Sequence, residues 1–343
     1  MRHLGITIAL TALLTLSACQ SRPRVTVSDF AGRWDMTVTT ADETYPSWME
    51  VVQKDGELSV RAQERTGNVH PVAAANLEGS SLIVTVSDAV PARPAEEGRP
   101  ASPARPALIW ELSLENGKLT GVQKRGDESA QIAGVRAPDL KRPAPKEWTE
   151  PEPLFNGKDL TGWEPLANTP DTRELPFRWT AQNGELVNEA KGPNIRTTRT
   201  FDDFKLHIEY FCPPGENSGI YLRGRYEVQV TAPPSERRTP RPSSRPAGGY
   251  RNPYGTVGCI YGFLGPSTPP AFQPDWQTFD ITLVGRMVTV VFNGVTLIDN
   301  QEIPGITGGA IDSNEAEPGP IYLQGDHRGG IRYRNITISV PKL

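Results

Sequence analysis

The sequence predicts an all-β protein, with a small N-terminal β-barrel-like or meander domain followed by a β-sandwich of two packed antiparallel sheets. Three observations support this fold class. The 343-residue chain contains 33 prolines and 32 glycines, which interrupt helices and mark turns. Short segments of alternating apolar and polar residues recur along the chain, whereas helical periodicity is almost absent. A proline-rich stretch divides these segments into two groups, and the length is sufficient for two domains.

Residues 1–19 have the pattern of a bacterial lipoprotein signal peptide. A short basic start precedes the apolar run Leu4–Leu16, which is too short for a permanent membrane-spanning helix. The sequence LSAC then ends at Cys19 and resembles a lipobox, so we expect the Cys19 thiol to be lipidated. Gln20 follows where an aspartate would resemble an inner-membrane retention signal. The expectation is an exported protein held by a lipid anchor, which would lie at the outer membrane or periplasmic face if the cell is Gram-negative. A plain secretory peptide with an incidental cysteine is the alternative.

Export also affects the interpretation of the two other cysteines, Cys212 and Cys259. Cysteines in an oxidising compartment can pair. Both lie among apolar strand residues, so two buried free thiols are an equal alternative. Their spacing does not decide between these two states.

Residues 28–136 contain the strands of the first domain. Gly32–Val38 and Ser47–Val52 show strand alternation, and turn signals occur at Asp55-Gly56 and Asn116-Gly117. The Gly-x-Trp opening and the following meander resemble small lipocalin-like barrels. No catalytic set of residues is present, so a spacer, a recognition module and a lid all remain open as roles.

Residues 137–153 form the predicted linker to the second domain. Five prolines with charged residues between them favour a stiff, extended connection. The second domain is assigned to residues 154–343.

The segment Gly215–Val230 is the most informative part of the second domain. Strand alternation from Tyr226 onwards places Glu227 and Gln229 on one face and Val228 on the other. A carboxylate and an amide on one rigid sheet face, with arginines nearby, can bind sugar hydroxyls and perform acid–base chemistry. The alternative is an ordinary solvated face of an antiparallel sheet.

Several short motifs occur in a fixed order along the second domain. They are Leu154–Gly157, Gly162-Trp163, Asn217–Ile220, Glu227–Gln229, Gly258–Tyr261, Trp276, Asn293-Gly294, Ile321–Gln324 and Arg334–Ile336. This set resembles the 3-keto-disaccharide hydrolase family, whose fold is the concanavalin A-like lectin/glucanase sandwich. The resemblance covers residues 152–343. The chain departs from the family pattern in a long insertion, Thr231–Tyr254, and in Gly325-Asp326-His327, which follows Gln324.

The resemblance implies cleavage of sugars that are already oxidised to a ketone at C3. A base would remove the acidic proton at C2, the group on C1 would leave, and water would then add, giving a net hydrolysis. We predict Glu227 and His327 as catalytic residues, and Glu209 and His207 are further acid–base candidates. The predicted substrate-binding residues are Asn217, Ser218, Arg223, Gln229, Tyr261, Trp276 and Gln324. Because the reaction needs enolate stabilisation, a divalent metal on Glu227, Asp326 and His327 is a further expectation.

Two other functions remain open. The sandwich could be a carbohydrate-binding module without catalysis, because a fold does not fix a function. The protein could also be a surface scaffold that presents a sugar oxidoreductase able to make the 3-keto sugar. The net charge is −4 and the sequence has no basic stripe, so we do not expect a nucleic acid partner.

Overall fold

Strands dominate the computed structural model, which describes residues 25–95, 100–167, 170–233 and 255–342. The all-β prediction is therefore confirmed. Two four-residue helices occur in these ranges, α1 (Val27–Phe30) and α2 (Pro170–Arg173), and none of the helices there is long and apolar enough to cross a membrane. The predicted signal peptide with Cys19 and most of the predicted insertion lie outside the described residues.

The N-terminal strands form one nine-stranded antiparallel sheet. They are β1 (Gly32–Thr39), β2 (Thr44–Lys54), β3 (Glu57–Gln63), β4 (His70–Pro71), β5 (Ala74–Glu78), β6 (Ser81–Ser87), β7 (Leu108–Glu115), β8 (Lys118–Arg125) and β9 (Glu128–Arg136). Their order is β4-β3-β2-β1-β9-β8-β7-β6-β5, so the first strand pairs with the last. Val72 donates to the carbonyl of Val60, and Ala73 donates to that of Thr85, which brings the two sheet edges together. The sheet is a barrel-like meander, and Trp34, Trp110 and other apolar side chains fill it.

The C-terminal strands form two packed sheets. The larger has the order β12-β13-β22-β15-β18-β19-β20, with β10 also on β22, and the smaller has the order β11-β14-β21-β16-β17. The strands are β10 (Glu152–Pro153), β11 (Trp163–Leu166), β12 (Trp179–Gln182), β13 (Glu185–Asn188), β14 (Asn194–Thr197), β15 (Phe204–Phe211), β16 (Asn217–Leu222), β17 (Tyr226–Thr231), β18 (Gln277–Val284), β19 (Met287–Phe292), β20 (Val295–Glu302), β21 (Tyr322–Leu323) and β22 (Ile331–Ser339). One apolar core lies between the sheets, as expected for a β-sandwich.

The alternation predicted for β17 is present in the structure. Tyr226, Val228 and Val230 point into the sandwich core. Glu227 and Gln229 point to the opposite face of the small sheet, yet each is only 4% exposed. The alternative of an ordinary solvated face is therefore wrong, because other parts of the chain cover this face.

The outer face of β1 and β2 packs against the sandwich. Trp48 is fully buried there, and its ring meets Phe263 edge-on with centroids 5.1 Å apart. Asp35 lies opposite Trp48 in the strand register and is also buried, beside Glu315 of the sandwich. Arg33 adds an ion pair to Glu302 at 2.8 Å. A buried aromatic residue, a buried carboxyl group and a half-buried ion pair thus fix the position of the barrel on the sandwich.

Candidate active site

The β16–β17 hairpin positions the candidate catalytic face. Its turn, Arg223-Gly224, has φ values of +50° and +69°, which are typical of the type I′ turns that match the twist of a hairpin. The resulting register pairs Tyr221 with Glu227 and Gly219 with Gln229. Tyr322 of β21 pairs with Tyr221 from the other side. The small sheet therefore presents two tyrosines, a carboxyl group and an amide on one face.

This face forms one side of a cavity of about 260 Å³. Its volume is near the lower end of the ~300–1,000 Å³ that is usual for small-molecule sites. Seven residues predicted from the sequence line it, namely Asn217, Glu227, Gln229, Tyr261, Gln324, Asp326 and His327. The structure therefore brings together both predicted catalytic residues and most of the predicted sugar-binding residues.

Three predicted substrate-binding residues lie elsewhere. Ser218 points toward the core, where its hydroxyl donates to the carbonyl of Gln324 at 2.7 Å. Arg223 is fully buried at the hairpin turn and donates to Asp202 at 2.9 Å. Trp276 directly precedes β18 of the larger sheet, with the guanidinium of Arg334 3.9 Å from its ring centroid. None of the three is placed to contact a molecule in the cavity.

The two further acid–base candidates also lie outside the cavity. Glu209 accepts hydrogen bonds from Arg334 at 2.7 Å and from Asn335 at 2.8 Å. His207 pairs with Asp280 at 2.7 Å. Both belong to β15, in the larger sheet, so they act as surface pairs and not as members of the site.

Glu227 is the central titratable group of the cavity. Burial raises the pKa of its carboxyl group to about 8, and the negative charge of Asp326 also raises it, although the hydrogen bond from Tyr221 acts in the opposite direction. Gly219 makes room for this carboxyl group, because a Cβ there would lie 2.6 Å from Glu227 Oε1. The glycine of the Asn-Ser-Gly-Ile motif is thus explained by the space that the carboxyl group needs.

The Tyr221 hydroxyl links this carboxyl group to the loop above it. It lies 2.8 Å from Glu227 Oε2 and 2.8 Å from the carbonyl oxygen of Gly308. A hydroxyl group donates one proton, so Tyr221 donates to Glu227 when that carboxyl group is ionised, and to Gly308 when a protonated Glu227 donates to it. The raised pKa of Glu227 favours the second arrangement near pH 7. Burial holds the pKa of Tyr221 well above its usual value, so the phenol keeps its proton.

His327 is more exposed than Glu227 and lines the cavity beside Asp326. The His327 side chain is 37% exposed, and its Nδ1 is 3.4 Å from Asp326 Oδ1. This separation is longer than a good hydrogen bond but allows charge pairing when the imidazole is protonated. His327 is therefore positioned to exchange protons both with a bound molecule and with solvent.

The amide groups supply hydrogen-bonding capacity that suits a sugar. Gln324 Oε1 is buried, and no residue in the described ranges donates a hydrogen bond to it. A buried acceptor without a partner is costly unless a ligand or water satisfies it. Asn194 accepts a hydrogen bond from the Gly325 amide at 2.7 Å and so fixes the backbone that follows Gln324.

The expected metal site is not formed by the described residues. Glu227, Asp326 and His327 share the cavity, but no group of three or more His, Cys, Asp or Glu side chains in the described ranges could hold a metal ion. No disulfide joins Cys212 to Cys259 in this part of the chain, and both thiols are buried. Burial raises the pKa of Cys212 to about 12, which makes it unreactive.

Sequence reasoning missed seven residues of the cavity. They are Thr66, Gly67, Asn194, Tyr221, Gly308, Gly309 and Tyr322. The two tyrosines stack with ring centroids 3.8 Å apart, and strand alternation alone could have placed Tyr221 on the Glu227 face. Thr66 and Gly67 come from the N-terminal domain and carry no signal in the sequence.

Comparison with known proteins relates the chain to one family. No curated protein matches the chain. Two candidate glycosyl hydrolases of known structure from Parabacteroides distasonis resemble it. The first is 27% identical over 58% of this chain and 93% of its own, with a TM-score of 0.42. The second is 19% identical over 56% of this chain and 92% of its own, with a TM-score of 0.39. The family model of the 3-keto-alpha-glucoside-1,2-lyase-like domain matches residues 150–339, more than half of the chain, and the protein belongs to this family.

Proposed function

We propose that this protein cleaves the glycosidic bond of 3-keto-glycosides by proton abstraction, elimination and hydration. Family membership supports a glycoside-cleaving enzyme that acts on sugars. The observation that carries the finer assignment is Glu227, a buried carboxyl group with a pKa of about 8 inside a small polar cavity. A ketone at C3 acidifies the C2 proton, and a base with a pKa near the working pH is best suited to remove it.

In the first step, ionised Glu227 takes the C2 proton and the electron pair moves onto the C3 ketone oxygen. Amide N–H groups of Gln229, Gln324 and Asn217 line the same cavity and can donate to the resulting enolate. The Tyr221 hydroxyl remains beside the carboxyl group and can donate to it while it is ionised.

In the second step, the enolate re-forms the ketone and the C1–O bond breaks. The electron pair goes to the leaving oxygen, which takes a proton from His327. A leaving group must reach solvent, so a partly exposed donor that lines the cavity fits this role. Water then adds across the C1–C2 double bond, placing its hydroxyl on C1 and a proton on C2, which completes the net hydrolysis.

The test is release of a chromogenic leaving group from a 3-keto-glucoside by protein lacking residues 1–19. We expect Glu227→Gln and His327→Ala to lower kcat/KM by about 100-fold or more, a common scale for acid–base residues. Glu209→Gln is the matched control, because the same change on the larger sheet should leave the rate unchanged. Parallel reactions with EDTA and with added divalent ions test for a metal requirement. Wild-type rates in both site variants would refute the assignment, and saturable sugar binding without release would favour a carbohydrate-binding module.

We further propose that Cys19 anchors the protein by a lipid at the outer membrane or periplasmic face. The lipobox-like sequence supports this, and a Cys19→Ser protein should become soluble after cell lysis. A 3-keto substrate also requires an oxidoreductase that acts on C3 of a sugar. Co-purification of such an enzyme from membranes would support a direct partnership.

A further inference from the structure

The N-terminal domain contributes directly to the cavity. Thr66 and Gly67 line it together with the residues of the sandwich. They belong to residues 64–69, here called the 64–69 loop, which connects β3 to β4. The sequence left three roles open for this domain. The spacer role does not account for a domain that lines the cavity.

The 64–69 loop is held firmly against the sandwich from two sides. On one side, Gly309 donates a backbone hydrogen bond to the carbonyl of Arg65 at 3.2 Å, and Gly308 packs so closely that a Cβ there would collide with Gly67. On the other side, a Cβ on Gly262 would lie 2.9 Å from the Val69 amide nitrogen. Glycines at these contacts allow backbone to approach backbone.

The contacts of the loop lie directly beside the candidate catalytic groups. Gly308 accepts the second hydrogen bond of Tyr221, and Gly309 accepts one from Tyr322 at 2.6 Å. Gly262 follows Tyr261, another cavity residue. The same short segments therefore bind the loop and position the site.

A second cavity of about 160 Å³ is also lined by residues of the 64–69 loop. It is lined by Tyr45 and Arg65 of the barrel and by Arg173 of the sandwich, among others. Thr66 and Gly309 line both cavities, so the two cavities adjoin at these residues. Of the two residues, Thr66 is the one that has a side chain.

We infer that the 64–69 loop is part of the active site and that Thr66 sets the size of the leaving group that the enzyme accepts. This inference rests on the proposed function. A short side chain at this position leaves room for a leaving group next to the catalytic cavity, and a larger one would close that room. Removing the side chain would enlarge the space where the two cavities adjoin and admit larger groups.

The test compares three 3-keto-glucosides whose leaving groups are methanol, a phenol and a second glucose. Thr66→Trp should lower kcat/KM for the glucosyl substrate relative to the methyl substrate by about tenfold or more, the usual scale of steric discrimination in a pocket. Thr66→Gly should shift the same ratio in the opposite direction. Thr120→Trp, a half-buried threonine of β8 in the same domain, is the control and should leave the ratio unchanged.

Binding of the same three substrates, measured by calorimetry in a Glu227→Gln background, provides a second readout. Selectivity that changes with Thr66 in both assays supports the inference. If the wild-type protein turns over the substrates and every Thr66 variant has the same kcat/KM ratio between the glucosyl and methyl substrates, this inference is overturned. The proposed function is then left intact. Absence of both turnover and binding in the wild-type protein overturns both.

Discussion

Replacing Glu227 by glutamine should change how the stability of the protein depends on pH. The carboxyl group is 4% exposed, and its pKa rises from 4.5 to about 8 on folding. Between these two values the folded state keeps a proton that the unfolded state has released. The contribution of this group is therefore fully present below pH 4.5 and is lost as the pH rises to about 8. Glutamine stays neutral at every pH in this range, so the stability of the Glu227→Gln variant does not fall for this reason.

The size of the effect follows from the interval between the two pKa values. Each pH unit changes the free energy of unfolding by about 1.4 kcal/mol, so the interval from 4.5 to about 8 corresponds to about 5 kcal/mol. The free energy of unfolding of Glu227→Gln minus that of wild type should grow by this amount across the interval. Above about pH 8 this difference in the free energy of unfolding should be constant. Other titrating groups are common to both proteins and cancel in the difference.

Urea titrations followed by tryptophan fluorescence at several pH values between 4.5 and 9 would measure this difference. Glu209→Gln is the control. Burial alone would raise the pKa of Glu209, but the hydrogen bonds from Asn335 and Arg334 bring it below its usual value. The stabilising contribution of Glu209 is complete above pH 4.5. The free energy of unfolding of Glu209→Gln minus that of wild type should therefore not change with pH. A pH-independent difference for Glu227→Gln as well would refute the reasoning, because it would mean that the carboxyl group ionises normally inside the folded protein.

Three further predictions concern the contacts that hold the site. Burial, followed by the negative charge of Glu315, raises the pKa of Asp35 to about 9, so Asp35→Asn should raise the Tm relative to wild type increasingly as the pH rises from 4 to 9. Gly219→Ala should displace the catalytic carboxyl group and lower kcat/KM by at least about tenfold, whereas Gly255→Ala, whose Cβ would meet open space, should leave kcat/KM at the wild-type value. Trp48→Ala should lower the free energy of unfolding, measured in urea, by about 3–5 kcal/mol, the usual range for a buried tryptophan. An effect below about 1 kcal/mol would contradict the importance of this contact between the domains.

Strand alternation predicted the part of the site that one hairpin supplies. A two-residue period is enough to place Glu227 beside Gln229 and opposite the core residue Val228. The arrival of Asp326 and His327 at the same cavity depends on pairing between distant strands, which strand alternation within one hairpin does not predict. The misplaced Arg223 has a local reason, because it occupies the hairpin turn, where φ is +50° and the strand alternation no longer applies.

The burial of the site could not be predicted, because it depends on contacts between distant parts of the chain. A polar face with a glutamate and a glutamine, with arginines nearby, is equally typical of a solvated sheet. What distinguishes this sheet is a cover formed by Gly308 and Gly309 and by the 64–69 loop of another domain. Neither segment has a motif of its own, and glycines at close backbone contacts are indistinguishable in sequence from glycines in turns.

The two domains therefore contribute different physical properties to one site. The sandwich supplies the reactive groups, because Glu227, Gln229, Gln324 and His327 all belong to it. The barrel supplies part of the enclosure, and burial is the largest cause of the raised pKa of Glu227. A carboxyl group on an open sheet would ionise near its ordinary pKa and would be a weak base for a proton next to a ketone. The packing of the barrel, through Trp48 and the 64–69 loop, is thus connected to the basicity of a residue in another domain.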